Sequence, residues 1–102
     1  TTKFERATEL DPDNAFAYNN WGAALANMGD LDGASEKFMR ATELDPDDAD
    51  AHFNKALALQ MLNRAGDAAD AFQRYLDLSP DAGNAEQVRA QIEQLRVSAT
   101  ND

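Results

Sequence analysis

The strongest constraint on this chain is a segment that recurs every 34 residues. The segment KFMRATELDPDD at Lys37–Asp48 matches KFERATELDPDN at Lys3–Asn14 at ten of twelve positions, and a weaker copy, AFQRYLDLSPDA, follows at Ala71–Ala82. A chain of short repeats has no single central core, because each unit buries its apolar face only against its neighbours. The sequence therefore predicts an array of similar units.

Each copy ends in a proline that separates one predicted helix from the next. A proline pushes the residue before it away from helical backbone angles, so Pro12, Pro46 and Pro80 each mark the end of a helix. Between these prolines, apolar residues recur at the three- and four-residue spacing of an amphipathic helix, and no run alternates with the period of two expected for a strand. The predicted helices are 2–11, 14–28, 31–44, 48–62, 65–78 and 82–97.

The turns between these helices contain residues suited to helix ends. Gly29 follows the second helix and Asn63 follows the fourth, and both residue types tolerate the positive φ that often ends a helix. Asp13, Asp30 and Asp47 lie close to the starts of helices. We expect each of these carboxylates to cap the following helix by accepting a hydrogen bond from a backbone N–H.

Small, aromatic and proline residues recur at fixed positions of the 34-residue helix–turn–helix unit. The first full unit carries Tyr18, Trp21, Gly22, Leu25, Ala34, Phe38, Ala41 and Pro46, and the second carries His52, Ala56, Leu59, Ala68, Phe72 and Pro80. This pattern resembles the tetratricopeptide repeat. Lys55 departs from it, because an apolar residue is usual at that position.

The resemblance implies an all-α fold, a right-handed α-solenoid of six helices in antiparallel pairs. The expected units are a half repeat at 1–14, full repeats at 15–48 and 49–82, a capping helix at 83–97 and a frayed tail at 98–102. The polar outer side of the last helix suits a helix that ends an array. Because the chain opens inside a repeat copy, we expect it to be a fragment of a longer protein.

The recurring small and aromatic residues are predicted to pack the helices together. Gly22, Ala34 and Ala41 are small where paired helices approach closely, and Phe38 is expected to fill the space between them. Tyr75 replaces the alanine of the other copies at its position. We expect its ring to displace the following helix and so to mark the end of regular stacking.

The charge balance excludes several classes of partner. With 19 acidic and 9 basic residues, the net charge is −10, which disfavours binding to nucleic acid or to an anionic membrane. The chain has no cysteine, so disulfides and thiolate metal sites are excluded. No apolar run approaches the roughly 18 residues of a membrane span. We expect a cytoplasmic protein, with the periplasm as the alternative.

No catalytic set is predicted in this sequence. His52 is the only histidine, and Ser35, Ser79 and Ser98 have no partner positioned by pattern for a Ser–His–Asp set. Because His52 occupies the position of Tyr18 in the repeat, we interpret it as a packing residue close to an aspartate one turn earlier. We expect neither enzymatic activity nor a cofactor.

A group of aspartates around the second proline has a spacing similar to that of a calcium-binding loop. The group consists of Asp45, Asp47, Asp48 and Asp50. Such loops need a glycine and a distal glutamate that are missing here. Solvated carboxylates at a helix N-terminus explain the group more simply, so no metal site is expected.

Binding is the favoured hypothesis, because the first helices of successive units line a concave wall that holds a peptide or a helix in tetratricopeptide arrays. By register, the wall residues are Phe16, Asn19, Asn20, Ala23, Asn27, Asp50, Phe53, Asn54, Leu57, Gln60, Met61, Asn84, Gln87 and Gln91. Asn20 and Asn54 lie one repeat apart on this wall. An asparagine both donates and accepts hydrogen bonds, so the pair is expected to hold a peptide backbone regardless of its sequence.

The asparagine pair is similar to the asparagine ladder in the repeat domain of O-linked N-acetylglucosamine transferases. The alternative interpretation is that Asn20 and Asn54 are ordinary polar residues on a helix surface. Repeat domains that clamp the acidic C-termini of heat-shock chaperones use lysine and arginine on this wall. The corresponding sites here hold Asn19, Ala23, Asp50, Asn84 and Val88 instead.

We therefore expect a protein or peptide partner that is neutral or basic, with apolar anchor residues that contact Phe16, Phe53 and Met61. The chain would then act as a scaffold or adaptor. Two alternatives stay open. One is self-assembly, as a dimer or filament, through the open edge of the first helix at Phe4 and Leu10. The other is a repeat domain that recruits substrates for a larger enzyme such as a glycosyltransferase.

Overall fold

The computed structural model describes residues 3–100 as six helices joined by short turns. The helices are α1 (Lys3–Leu10), α2 (Ala15–Asn27), α3 (Leu31–Leu44), α4 (Ala49–Met61), α5 (Ala65–Leu78) and α6 (Ala85–Thr100). No strand occurs in this part of the chain. The prediction of an all-α repeat fold with six helices is confirmed. The predicted start of the first helix at Thr2 lies outside the described residues.

Each helix packs against the helices that precede and follow it in the sequence, and the only further helix–helix contact in residues 3–100 joins α2 to α4. The resulting body measures 42 × 29 × 19 Å. Because sequential neighbours supply nearly every contact, the array has the extended form of a solenoid. Over the same residues, no helix combines the length and the apolar character needed to cross a bilayer.

The turns confirm the predicted helix ends but correct two of the predicted caps. Gly29 has φ of 85° and Asn63 has φ of 62°, as expected for residues that end helices. Asp30 caps α3 by accepting a 2.9 Å hydrogen bond from the backbone N–H of Gly33. The predictions for Asp13 and Asp47 are wrong, because the residue after each of them is the one that caps the next helix.

The two observed caps stand directly before their helices. Asn14 Oδ1 accepts a 3.0 Å hydrogen bond from the N–H of Ala17, and Asp48 Oδ1 accepts one of 3.3 Å from the N–H of Ala51. The helices begin one residue later than predicted, and a capping side chain reaches only the N–H groups two or three residues ahead of it. The cap therefore also lies one residue later.

The last helix differs from its prediction at both ends. It begins at Ala85 and not at Ala82, and it continues to Thr100 and not to Val97. Ala82 occupies the repeat position of Asn14 and Asp48 but has no side-chain oxygen with which to cap a helix. The predicted frayed tail at 98–102 is wrong for residues 98–100, which are helical, and its residues 101–102 lie outside the described residues.

The predicted close approach of the helix pair α2 and α3 is confirmed at Gly22. A Cβ atom on this glycine would lie 2.7 Å from two ring carbons of Phe38 and 3.1 Å from the carbonyl oxygen of Ala34. Phe38, Ala34 and Ala41 are all buried. No side chain therefore fits at Gly22 unless the ring of Phe38 moves.

The larger part of the core lies in the second half of the array, where α4, α5 and α6 meet. Phe72 and Tyr75 of α5 are buried there, and the ring of Phe53 from α4 lies 5.6 Å from the first ring and 4.9 Å from the second. Tyr75 is thus a core residue at the contact between α5 and α6. Its predicted displacement of α6 stays a prediction.

Candidate functional site

The predicted wall is formed by α2, α4 and α6, and it contains two adjoining hollows. The first hollow, about 220 Å³ in volume, is lined by Ala23, Ala26, Asn27, Leu31, Phe38, Asn54, Leu57, Ala58 and Met61. The second hollow, about 260 Å³, is lined by Phe53, Leu57, Gln60, Phe72, Asn84, Gln87, Val88 and Gln91. Leu57 of α4 belongs to both, so it forms the ridge between them.

The first hollow has an apolar floor. Phe38 and Ala58 are buried there and belong to one small apolar cluster between α3 and α4. Met61 lies at the rim with 64% of its surface exposed, which leaves its flexible thioether side chain free to adapt to an incoming group. Asn27 and Asn54 supply amide groups at the edge of the same hollow.

The second hollow combines aromatic packing with a rim of amides. Its floor includes the buried Phe72 and Val88, and the half-buried ring of Phe53 makes up one side. The rim side chains are Gln60, Asn84, Gln87 and Gln91. Amides both donate and accept hydrogen bonds, so such a rim can pair with the N–H and C=O groups of a peptide backbone.

No charged side chain lines either hollow, although the chain carries 19 acidic and 9 basic residues. An ionic group that entered a hollow would lose water without gaining a counter-ion, which is unfavourable. The two hollows therefore suit apolar side chains flanked by uncharged polar groups.

The predicted asparagine pair has an arrangement that the repeat register alone did not indicate. The side-chain Nδ2 of Asn54 donates a 3.2 Å hydrogen bond to Oδ1 of Asn19, the residue before Asn20. One of the two amide protons of Asn54 is therefore already used between α2 and α4. The carbonyl oxygen of this amide remains the group with which Asn54 can accept a bond from a ligand.

The structure gathers most, but not all, of the predicted wall residues around the two hollows. Those that line a hollow are Ala23, Asn27, Phe53, Asn54, Leu57, Gln60, Met61, Asn84, Gln87 and Gln91. Four others lie outside both hollows, namely Phe16, Asn19, Asn20 and Asp50. Phe16 is 72% exposed and contributes to no apolar cluster. Whether any of these residues binds a peptide stays a prediction.

Sequence reasoning missed the floors of the hollows. Phe38 and Phe72 were interpreted only as packing residues, because they recur at the same repeat position on the second helix of each pair. Each ring, although buried, nevertheless belongs to the lining of one hollow. The recurrence of phenylalanine was the available signal, but whether a ring lines a hollow depends on the distance between α2, α4 and α6.

A separate groove lies on the opposite side of α4. It has a volume of about 360 Å³ and is lined by Met39 of α3, by His52, Lys55 and Leu59 of α4, by Arg64 just before α5, and by Asp67, Asp70, Ala71 and Arg74 of α5. We call it the α3–α5 groove. Positions 52, 55 and 59 fall on one face of a helix, and positions 54, 57 and 61 fall on the other.

His52 is buried in the wall of the α3–α5 groove, in agreement with its interpretation as a packing residue. Its Nε2 lies 3.0 Å from the carbonyl oxygen of Pro46, so this nitrogen carries the proton that is donated. Its Nδ1 is buried without a hydrogen-bond partner in the described chain. Burial lowers the pKa of the imidazole below its ordinary value of 6.5, against the opposing effect of the bond to Pro46.

The equivalent surface of the first repeat is aromatic. Tyr18 and Trp21 are stacked with their ring centroids 6.2 Å apart, and the ammonium of Lys37 lies 4.0 Å from the centroid of Trp21. A further hollow, about 510 Å³ in volume, lies beside α1 and contains Phe4, Leu25 and Met28 among its lining residues. Residues 3–100 contain no cluster of three or more His, Cys, Asp or Glu that could hold a metal ion.

Comparison with protein-family models matches residues 19–83 to a model described as tetratricopeptide repeat, and residues 3–34 to a second model with the same description. Comparison with curated protein sequences gives no significant match. The family match covers more than half of the chain.

Solved structures with the same fold include peptide complexes. The first TPR of Spaghetti (RPAP3), bound to the HSP90 peptide SRMEEVD, is 20% identical, with a TM-score of 0.84 over 92% of this chain and 75% of that one. The type III secretion chaperone SycD of Yersinia enterocolitica, in complex with a peptide of the translocator YopD, is 17% identical, with a TM-score of 0.82 over 94% of this chain and 76% of that one.

YrrB, described as a TPR protein with an unusual peptide-binding site, is 31% identical, with a TM-score of 0.76 over 85% of this chain. The present chain covers 45% of YrrB. At these levels of identity, the likeness to SycD and to the RPAP3 domain establishes a shared fold and no shared ligand.

Proposed function

The chain belongs to the tetratricopeptide repeat family, and on that premise we propose that it is a protein-interaction module, acting as scaffold or adaptor. Its ligand is a peptide or helical segment of another protein, held on the face formed by α2, α4 and α6. The observation that carries this proposal is the pair of adjoining hollows that share the ridge residue Leu57.

The chemistry of the hollows supports an uncharged or basic segment with two apolar anchor residues. The floors at Phe38 and Phe72 are apolar, and the rims are amides. An anchor in each hollow would bury apolar surface, which contributes about 25 cal/mol per Å² removed from water. The amides of Asn84 and Gln87 would pair with the backbone between and beside the anchors.

Charge argues against an acidic ligand on this face. Neither hollow contains a lysine or arginine, and the net charge of the chain is −10. A strongly acidic segment would be repelled at long range and would find no counter-ion on arrival. Basic residues flanking the two anchors would instead be attracted by the surrounding acidic surface.

The first test is a selection from a displayed random peptide library, followed by two matched variants. Leu57→Lys places a charge on the ridge between the hollows, whereas Val97→Lys makes the same kind of change at an exposed site on α6. We expect Leu57→Lys to weaken binding of the selected peptides by about tenfold or more, and Val97→Lys to leave it unchanged. Equal binding by both variants would place the ligand elsewhere.

The asparagine pair requires a separate test. The double substitution Asn20→Ala with Asn54→Ala is expected to abolish capture of the selected peptides while changing Tm by only a few degrees, since one hydrogen bond contributes about 1 kcal/mol. Asn19→Ala is the control, because it removes the bond between Asn19 and Asn54 but leaves both predicted ladder residues in place. If the double variant captures the selected peptides as well as wild type does, Asn20 and Asn54 do not form a peptide-binding pair and are ordinary polar residues on a helix surface.

Self-assembly is a second candidate function, and the hollow beside α1 is the observation that favours it. Within residues 3–100, α1 packs only against α2, and the hollow of about 510 Å³ next to it contains Phe4 and Met28. Light scattering after size-exclusion chromatography would detect a dimer or filament, and Met28→Asp should dissociate it. A monomer at all concentrations would remove this candidate.

On this proposal the array binds and does not itself catalyse a reaction. Recruitment of substrates for a catalytic domain in a longer chain would use the same face and the same two hollows. The peptide selection described above applies to both cases, because it identifies the recognised segment independently of what the complex then does.

A further inference from the structure

We infer that the α3–α5 groove is a second binding site, which takes one Asp or Glu side chain of a protein partner and pairs its carboxylate with Lys55. This site lies on the other side of α4 from the two hollows, so it is independent of the proposed peptide-binding face. The inference depends on how the charges around the groove are already paired.

Four acidic side chains in or beside the groove each make an ion pair with an arginine, and a fifth, Asp48, accepts the capping hydrogen bond of α4. The four ion pairs are Asp67–Arg64 at 2.7 Å, Glu43–Arg40 at 3.3 Å, Asp70–Arg96 at 3.4 Å and Asp47–Arg74 at 3.9 Å. These four pairs are electrically neutral. Lys55 is the remaining charged residue of the groove, and it makes no hydrogen bond or ion pair with any residue that the structure describes.

Lys55 is half-buried, so its unpaired charge is unfavourable where it stands. Burial lowers the pKa of its ammonium group, and the more distant carboxylates of Glu43 and Asp67 only partly oppose this effect. A charge removed from water is stabilised chiefly by a counter-ion in contact with it. A partner carboxylate at the Lys55 ammonium would therefore supply the contact counter-ion that no described residue provides.

The comparison with the first repeat shows that packing does not require this lysine. Trp21 occupies the equivalent position on α2, where its ring packs against Tyr18 and under Lys37. Lys55 thus replaces an aromatic residue by a cation at the centre of the groove. His52 beside it has its Nδ1 buried without a partner in the described chain, but this nitrogen carries no proton and so does not pair with a carboxylate.

The remaining lining residues define the form of the ligand. Met39, Leu59 and Ala71 make parts of the wall apolar, which suits the aliphatic stem of a glutamate and a neighbouring apolar residue. One unpaired cation matches one carboxylate. A partner segment with several acidic residues would be repelled by the net charge of −10 on this chain. A single acidic residue between apolar residues therefore fits best.

Binding of two labelled peptides to the whole chain tests this inference. The probes are the blocked peptide Ala-Leu-Glu-Leu-Ala, which carries a single charge, and its glutamine counterpart, both measured by fluorescence anisotropy. We expect the glutamate peptide to bind about tenfold more tightly than the glutamine peptide. Lys55→Met should remove this difference, and Lys55→Arg should retain most of it.

A matched control separates contact with Lys55 from a general effect of charge. Lys37→Met makes the same change of charge on the same side of the array, at a lysine that already contacts Trp21, and should leave the difference intact. Thermal unfolding of each variant checks that it is folded. Leu57→Lys should weaken the peptides selected for the hollows but not the glutamate peptide, so the two proposals can fail separately.

Three results would overturn the inference. The first is equal affinity of wild type for the two peptides. The second is no detectable binding of the glutamate peptide at about 1 mM. The third is a difference between the peptides that survives in folded Lys55→Met.

Discussion

The hydroxyl of Tyr75 donates a 2.7 Å hydrogen bond to the side-chain oxygen of Asn84, which joins the last turn of α5 to the residue just before α6. Tyr75 is buried and Asn84 is half-buried at the edge of the second hollow. The bond therefore links the last turn of the array to the core, and it orients one of the rim amides.

Removal of this hydroxyl should destabilise the chain. Tyr75→Phe keeps the ring packed against Phe53 but leaves the oxygen of Asn84 without its donor, which should lower the free energy of unfolding by about 1 kcal/mol. Tyr18→Phe is the control, because the Tyr18 ring lies on Trp21 at the surface of the first repeat. Denaturant unfolding of the two variants measures the difference, and equal stabilities would show that the bond is not maintained in solution.

Two glycines in helices should respond in opposite directions to substitution by alanine. Gly22→Ala would bring Cβ to 2.7 Å from the buried ring of Phe38, so we expect overpacking and a loss of about 1–3 kcal/mol in the free energy of unfolding. At Gly66 the nearest atom to an added Cβ is the Cβ of Ala99 at 3.8 Å, an ordinary contact. Gly66→Ala should therefore stabilise the chain by about 0.5–1 kcal/mol. A stable Gly22→Ala variant would show that the ring of Phe38 can move.

Two adjacent aspartates distinguish a helix cap from a surface charge. Asp48 accepts the hydrogen bond from Ala51 N–H, whereas Asp47 makes a 3.9 Å ion pair with Arg74 in which both side chains are exposed. Asp48→Ala should lower the free energy of unfolding by about 1 kcal/mol, and Asp47→Ala should change it by less than about 0.5 kcal/mol. Chemical denaturation measures both changes. A larger loss of unfolding free energy in Asp47→Ala than in Asp48→Ala would show that Asp47 is the cap, as the sequence alone predicted.

The single histidine should make stability depend on pH. Burial lowers the pKa of His52, so the unfolded chain takes up a proton as the pH falls through about 6.5 while the folded chain still resists it. The free energy of unfolding should decrease below about pH 6.5 and level off once the pH lies below the pKa of the folded imidazole.

Replacement of the histidine tests this pH dependence. His52→Tyr introduces the residue found at the same position of the first repeat, and it should flatten the dependence between about pH 5 and 7, where model carboxylates are already ionised. Thermal unfolding at several pH values measures the slope. A slope that persists in His52→Tyr would assign the dependence to other groups.

The architecture could be predicted from the sequence because the repeat period and the residues that end helices are local signals. Pro46 ends α3, Gly29 and Asn63 adopt positive φ as predicted, and Gly22 makes the close approach that its position indicated. The caps of α2 and α4 were predicted one residue too early, because two successive Asp or Asn residues precede each of these helices and only backbone geometry selects between them. The same applies to the late start of α6, where Ala82 cannot cap.

Only part of the candidate site could be predicted from the sequence. The repeat register correctly predicted that Ala23, Asn54 and Leu57 lie on one side of the array, because residues one repeat apart share a face. Register could not show that Asn54 is bonded to Asn19, or that Phe16 lies outside both hollows. These relationships depend on the separation and tilt of helices that are distant in sequence.

The sequence by itself determined the number of helices, the turns that separate them and the positions that pack them, because each of these depends on residues within about one turn or one repeat. Tertiary structure alone decided which surfaces are hollow and which charges are left unpaired. Lys55 shows the reason most clearly. Its position as a departure from the repeat was visible in the sequence. Its lack of an ion pair became evident only in the structure, where Arg40 of α3, Arg64 just before α5 and Arg96 of α6 each pair with a nearby carboxylate.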